Sequence, residues 1–137
     1  MSELNKTLED VFGYTSFRPG QEEVINHLMQ KKKLLAVMPT GAGKSLCYQL
    51  PALLFENQTI VVSPLVALMD DQVIGLKDLG VKAERVHSGM PESQRTQIWE
   101  DFKNKQIKIL YISPESLMRN EMLSALKLLN ISMFVVD

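Results

Sequence analysis

The sequence predicts an α/β fold, a parallel sheet with helices on both faces. Three observations predict it. From Leu34 onward, short apolar runs alternate with stretches of helical periodicity, the signature of stacked βαβ units. Five strand candidates fall within about 105 residues, the density such units require. The chain has 137 residues, 45% apolar and 23% charged, enough to bury a core without covalent staples.

Taken in order, Leu4, Leu8, Val11 and Phe12 fall at i, i+4, i+7 and i+8, one face of a short helix that Gly13 ends. Pro19 predicts the opening of a second helix at a first-turn position that tolerates proline. Its apolar face is Val24, Ile25 and Leu28, and Lys31 to Lys33 close it where positive charge suits a helix C-terminus. Residues 1–33 therefore form an N-terminal helical segment, and 34–137 the sheet domain. Leu34 to Met38 is a buried strand, Leu46 to Phe55 a helix and Thr59 to Val62 a strand. Leu65, Leu68, Met69, Gln72, Val73 and Leu76 mark a helix stripe. Lys82 to His87 is a strand. Pro91 to Phe102 is a helix with Ile98, Trp99 and Phe102 inward. Lys108 to Ile112 is a strand, Leu117 to Leu129 a helix in one or two pieces, and Met133 to Val136 the last strand. The eight methionines fall mostly in these apolar runs and read as core filling.

Composition excludes several classes. With 15 Lys and Arg against 16 Asp and Glu, the net charge is -1, which argues against nucleic-acid binding by bulk positive charge but leaves room for a local site. One cysteine excludes an internal disulfide and a Cys-based zinc cluster. The opening MSELNKTLED has no apolar core of a secretory signal. The stretch from Thr59 to Met69 is shorter than the roughly 20 residues a bilayer requires. A cytoplasmic protein without a membrane partner is expected.

The strongest chemical signal is Met38-Pro39-Thr40-Gly41-Ala42-Gly43-Lys44-Ser45. It matches the end of the phosphate-loop pattern G-x-x-x-x-G-K-[ST], with Met38 in place of the first glycine. A predicted strand precedes it and a predicted helix follows, the arrangement the mechanism requires. Gly41 and Gly43 let the backbone curl so that several N–H groups face one anion, at a helix N-terminus that also favours phosphate. Lys44 places an ammonium on the β- and γ-phosphates, and the Ser45 hydroxyl can ligate Mg²⁺. Cys47 in the following helix reads as a small buried residue. Asp137 ends an apolar strand, where an acid can hold Mg²⁺ through water. A GTPase would need Asn-Lys-x-Asp, and Asn104-Lys105-Gln106-Ile107 lacks the acid. On the loop alone, a small-molecule kinase remains open.

Further residues make the reading specific. Leu8 to Ile25, LEDVFGYTSFRPGQEEVI, resembles the motif that precedes the phosphate loop in RecQ-type DNA helicases of superfamily 2. MPTGAGKSLCYQLPAL resembles that family's motif I, VVSPLVALMDDQV its motif Ia, and Tyr111 to Leu117 a later motif that contacts single-stranded DNA. Asp137 stands where motif II begins. The resemblance spans almost the whole chain, in the family's order. It implies a RecA-like ATP-binding domain, incomplete at its C-terminus, using ATP and Mg²⁺. It implies that Tyr14, Arg18 and Gln21 hold adenine, that Pro39 to Ser45 hold the phosphates, and that Lys44 and Asp137 serve catalysis. It also implies a single-stranded or forked DNA partner on a path over Ser63, Pro64, His87, Ser88, Gly89, Ser113 and Pro114, where helix capping by Ser and Pro is the plain alternative.

The same resemblance implies the N-terminal part of a 3′ to 5′ helicase acting in recombination and repair, near the nucleoid if bacterial. A second RecA-like domain, supplying an arginine finger, would lie outside this chain. So would a later strand, expected between the strand before the phosphate loop and the one ending at Asp137. A vacant central slot, a marginal or partly molten state and an inactive isolated chain are the expectations that follow. A non-catalytic nucleotide- or DNA-binding remnant is the competing expectation.

Overall fold

The computed structural model describes residues 2–30, 34–37 and 44–137. Lys31 to Lys33 and Met38 to Gly43, on which parts of the sequence reading fall, lie outside the described residues. Helix α1 spans Glu3–Thr7 and widens into a π-turn over Leu8–Phe12. Gly13, at φ 77°, ends it, a left-handed position that glycine adopts without steric penalty. Helix α2 is Gln21–Met29. Strand β1 (Leu34–Val37) precedes α3 (Lys44–Leu54), then β2 (Gln58–Val62), α4 (Val66–Asp78) and β3 (Ala83–Val86). Helix α5 (Glu92–Lys103), β4 (Ile109–Ile112), the single turn α6 (Pro114–Leu117), α7 (Asn120–Leu128) and β5 (Ile131–Val136) complete the order.

The five strands form one parallel sheet in the order β1-β5-β2-β4-β3. Alternation along the strands sorts the core into two layers. Val61, Ile109, Tyr111, Met133 and Val135 face α3 and α4 with Tyr48, Met69, Val73 and Leu76. Ile60, Leu110, Ile112 and Ile131 face α5 and α7 with Ile98, Phe102 and Met122. A third cluster, Leu8, Ile25, Leu46, Cys47 and Leu50, packs α1 and α2 onto α3. The edge strand β3 is guarded by charge. Arg85 pairs with Asp70, and Lys77 with Glu84 at 2.5 Å, which discourages edge-to-edge association. No helix among the described residues is long and apolar enough to cross a membrane.

Five expectations are corrected. The central slot does not exist: β1 pairs directly with β5, from Leu34 opposite Met133 to Val37 opposite Val136. An open slot would leave a row of backbone donors and acceptors unpaired, and closing it satisfies them. Pro19 lies outside α2, whose N-cap is Gly20 at φ 85°. Val24 is exposed, leaving Ile25 and Leu28 as the buried face. Leu65 is the exposed N-cap of α4 rather than part of its buried stripe, and Trp99 is only half-buried.

Two buried polar groups on β2 have opposite consequences. Gln58 Nε2 donates to the carbonyls of Phe102 at 2.6 Å and Ile107 at 2.7 Å, pinning the turn after α5. Thr59 Oγ1 is buried with no hydrogen-bond partner. An unsatisfied buried hydroxyl costs about 1–3 kcal/mol. Thr59→Val, which keeps the shape and suits a strand, is therefore expected to raise the urea midpoint, and an unchanged or lower midpoint would contradict that account.

Candidate functional site

All five strands run the same way, so their C-terminal ends share one rim, where ligands bind in open parallel sheets. The ladder continues one residue past the strands. Ser63 N donates to Ile112 O, Ser113 N to Val86 O and Asp137 N to Val62 O, at 2.9–3.0 Å. Ser63, Ser113 and Asp137 are thus fixed side by side, and β1 ends at Val37, paired opposite Val136, the residue before Asp137. Burial pushes the Asp137 carboxyl above its ordinary range.

Lys44 opens α3, exposed, and Ser45 follows, half-buried. A hollow of about 230 Å³ joins Lys44 and Cys47 to Arg18, Pro19, Gly20 and Gln21. Gln21 is buried, and its Oε1 accepts from Arg18 N at 2.8 Å. This bond ties the loop carrying Arg18 to the first turn of α2, and α2 packs on α3. Tyr14, 57% exposed, lines a separate hollow of about 250 Å³ with Ser45, Gln49 and Gln72. Arg18 and Gln21 are therefore brought to Lys44, while Tyr14 lines the other hollow together with Ser45. Burial pushes the Cys47 thiol up, with Lys44 pulling weakly the other way, so the thiolate needed of a nucleophile is disfavoured.

The rim serines are both buried and engaged. Ser63 Oγ accepts from Leu65 N at 3.3 Å. Ser113 Oγ caps α6 by accepting from Ser116 N at 3.3 Å, and lies 3.0 Å from Ser116 Oγ. Both hydroxyls shape their loops, Ser113 as the N-cap of α6 and Ser63 by a turn onto Leu65, the N-cap of α4. Pro64, Ser88 and Gly89 are exposed, and His87 and Pro114 half-buried. His87 Nδ1 accepts from Gly89 N at 3.2 Å, holding that loop in a tight turn.

For Mg²⁺ the available donors are a hydroxyl, Ser45, and a carboxylate, Asp137. Two hard oxygen donors suit an ion that keeps several waters and takes its other ligands from phosphate. Among the described residues no three His, Cys, Asp or Glu side chains gather into a metal cluster.

The sequence reading missed one feature. Tyr48 and Tyr111 hydroxyls meet at 2.8 Å, and Gln49 Nε2 lies 3.0 Å from Tyr111 Oη and 2.7 Å from Gln72 Oε1. This buried network ties α3 to α4 and to β4, two residues before Ser113. The signal was present: a tyrosine inside the strand ILYI, and a glutamine on an otherwise apolar helix face. Burial pushes Tyr111 up to about 12 and Tyr48 higher, and the nearby Asp137 charge raises both. An unfolded tyrosine ionises near 10, so above that pH the folded state holds more protons and stability falls as pH rises. Lys108, pushed down by burial, works in the opposite sense just below its ordinary value, and a variant comparison cancels it. Urea midpoints between about pH 8 and 11 should fall less steeply in Tyr111→Phe than in the wild type; parallel curves would refute the assignment.

A parallel sheet with helices on both faces, a phosphate-loop sequence between a strand and a helix, and an acid just past the end of β5 define a domain of the RecA-like class. Residues 18–137 match the model of the DEAD/DEAH box helicase family, and the chain belongs to that family. It is 44% identical over 130 residues to the ATP-dependent DNA helicase RecQ of Haemophilus influenzae, covering 95% of this chain and 21% of that protein. It is 42% identical over all 137 residues to the probable ATP-dependent DNA helicase RecS of Bacillus subtilis, covering 27% of it. The chain thus spans about a quarter of the length of these relatives. Among solved structures, the DUF1998 helicase MrfA bound to DNA matches 99% of this chain and 19% of its own, with TM-score 0.71 and 20% identity, a likeness of fold.

Proposed function

We propose that this chain is the ATP-binding part of a RecQ-type, ATP-dependent DNA helicase. The observation that carries the reading is the meeting of Arg18 and Gln21 with Lys44 around one hollow at the start of α3. Lys44 and the N–H groups of Pro39 to Gly43 bind the phosphates. Arg18 stacks on adenine, and Gln21 reads its edge through its amide. Tyr14 joins them by a movement of the loop between Gly13 and Pro19. Ser45 and Asp137 hold Mg²⁺, which when bound neutralises charge on the transferring phosphate.

Single-stranded DNA crosses the rim over Pro64, His87 to Gly89 and Pro114. Ser63 and Ser113 set the loops, and the first N–H groups of the following helices take backbone phosphates. A second RecA-like domain supplies the arginine finger, and closure of the two domains on ATP moves them 3′ to 5′ along one strand. The setting is the cytoplasm, in recombination and repair. The similarity to the RecQ and RecS helicases at 44% and 42% identity supports this reading. The test is ATP hydrolysis by the product of the full reading frame, with and without single-stranded DNA. Strong stimulation is expected; turnover indifferent to DNA would favour a small-molecule NTPase.

A further inference from the structure

A second hollow opens on the same rim, away from the residues assigned above. It holds about 210 Å³ between the end of β3 and the helices α5, α6 and α7. Val86 and Met122 are its buried lining, Trp99 its aromatic wall, and Arg95, Arg119 and Glu92 its charged groups. The Trp99 ring is stacked on the fully buried Phe102, at 5.6 Å between centroids and 21° between planes. It is thus a rigid platform. Neither arginine makes an ion pair with any described residue, and two guanidiniums against one carboxylate leave the hollow net positive. Its volume is below the roughly 300 Å³ at which small-molecule sites begin, so it suits one flat ring rather than a whole cofactor. Val86 ends β3 just before His87, and Ser116 is the residue that Ser113 caps. The hollow therefore continues the rim that the DNA is proposed to cross.

We propose that this hollow is a base pocket for single-stranded DNA. One unstacked nucleobase rests against Trp99, and Arg95 and Arg119 take the phosphates on either side of it. An aromatic wall with flanking cations is the chemistry of sequence-tolerant single-strand binding. Arg95 and Trp99 lie one helical turn apart on α5, so one face presents cation and ring together. The proposal rests on the DNA-helicase reading, and its test separates the two.

Trp99 is the only tryptophan of the chain, so its fluorescence reports on the hollow. The chain is titrated with a fluorescein-labelled oligothymidylate and with an abasic strand of equal length, following tryptophan emission and fluorescein anisotropy. Saturable quenching by the thymidylate and little by the abasic strand is the expected result. Trp99→Ala should weaken binding roughly tenfold. Arg95→Ala and Arg119→Ala should each lower the salt dependence of log K by about one. Because Trp99→Ala removes packing on Phe102, Trp99→Phe serves as the folded control and should retain most of the affinity. Thymidylate binding seen by anisotropy with unchanged Trp99 emission, or equal quenching by the abasic strand, overturns the pocket and leaves the helicase reading standing. Absence of binding to either strand overturns both.

Discussion

Lys44→Ala in the product of the full reading frame is expected to reduce ATP turnover by roughly 100- to 1,000-fold, the usual loss when one preorganised charge donor on a reacting group is removed. The lysine is exposed at the first residue of α3 and shares a hollow with Arg18 and Gln21. It is not part of the core, so the urea midpoint should stay where it is. That combination distinguishes lost phosphate contact from lost folding. Turnover within a few-fold of the wild type would sink the assignment of Lys44, whatever the fate of DNA binding.

Phe102→Ala is expected to have the largest effect on stability. The ring is fully buried among Ile98, Ile107, Leu110 and Ile112, and its own backbone carbonyl anchors Gln58. Truncating a buried phenylalanine costs about 3–5 kcal/mol, against a total of about 5–15 kcal/mol for a domain. Urea unfolding should show a large fall in midpoint. Phe102→Leu, which keeps most of the volume, should lose much less. Equal losses from the two would mean that the ring's contacts do not set the stability of this layer. Removing the ring also deprives Trp99 of its support, so Phe102→Leu should blur the tryptophan's response to oligothymidylate before it abolishes folding.

The alternation of apolar runs and amphipathic stretches placed every strand and helix of the sheet domain to within a few residues, because both periods are written by burial on one face or two. The resemblance to the RecQ-type motif implied Tyr14, Arg18 and Gln21 as one set near Lys44; the packing of α2 on α3 gathers Arg18, Gln21 and Lys44 around one hollow and leaves Tyr14 on another. Strand order was not legible. Nothing local in LLAV or in ISMFVV says which strand lies beside which, and the expected gap between them was wrong because unpaired backbone is expensive in a core. Helix starts were misplaced where a glycine did a proline's work, as at Gly20. The orientation of Ser63 and Ser113 was equally hidden, since the same residue caps a helix or contacts a ligand depending on which way it is buried. The Tyr48–Tyr111 contact joins residues 63 apart in sequence, beyond the reach of any local pattern.

The parallel arrangement has a further consequence for how the molecule is made. β1 and β2 are not paired with each other; each is paired to β5, about a hundred residues downstream of β1. As a ribosome feeds out the chain, the β2-β4-β3 half can assemble once Ile112 has emerged, but β1 must wait for residues 131–136. For that interval two apolar edges stand open side by side, and other nascent chains or chaperones compete for them. Translation speed across α7, and temperature during expression, should therefore govern the yield of intact molecules more than any property of the finished sheet.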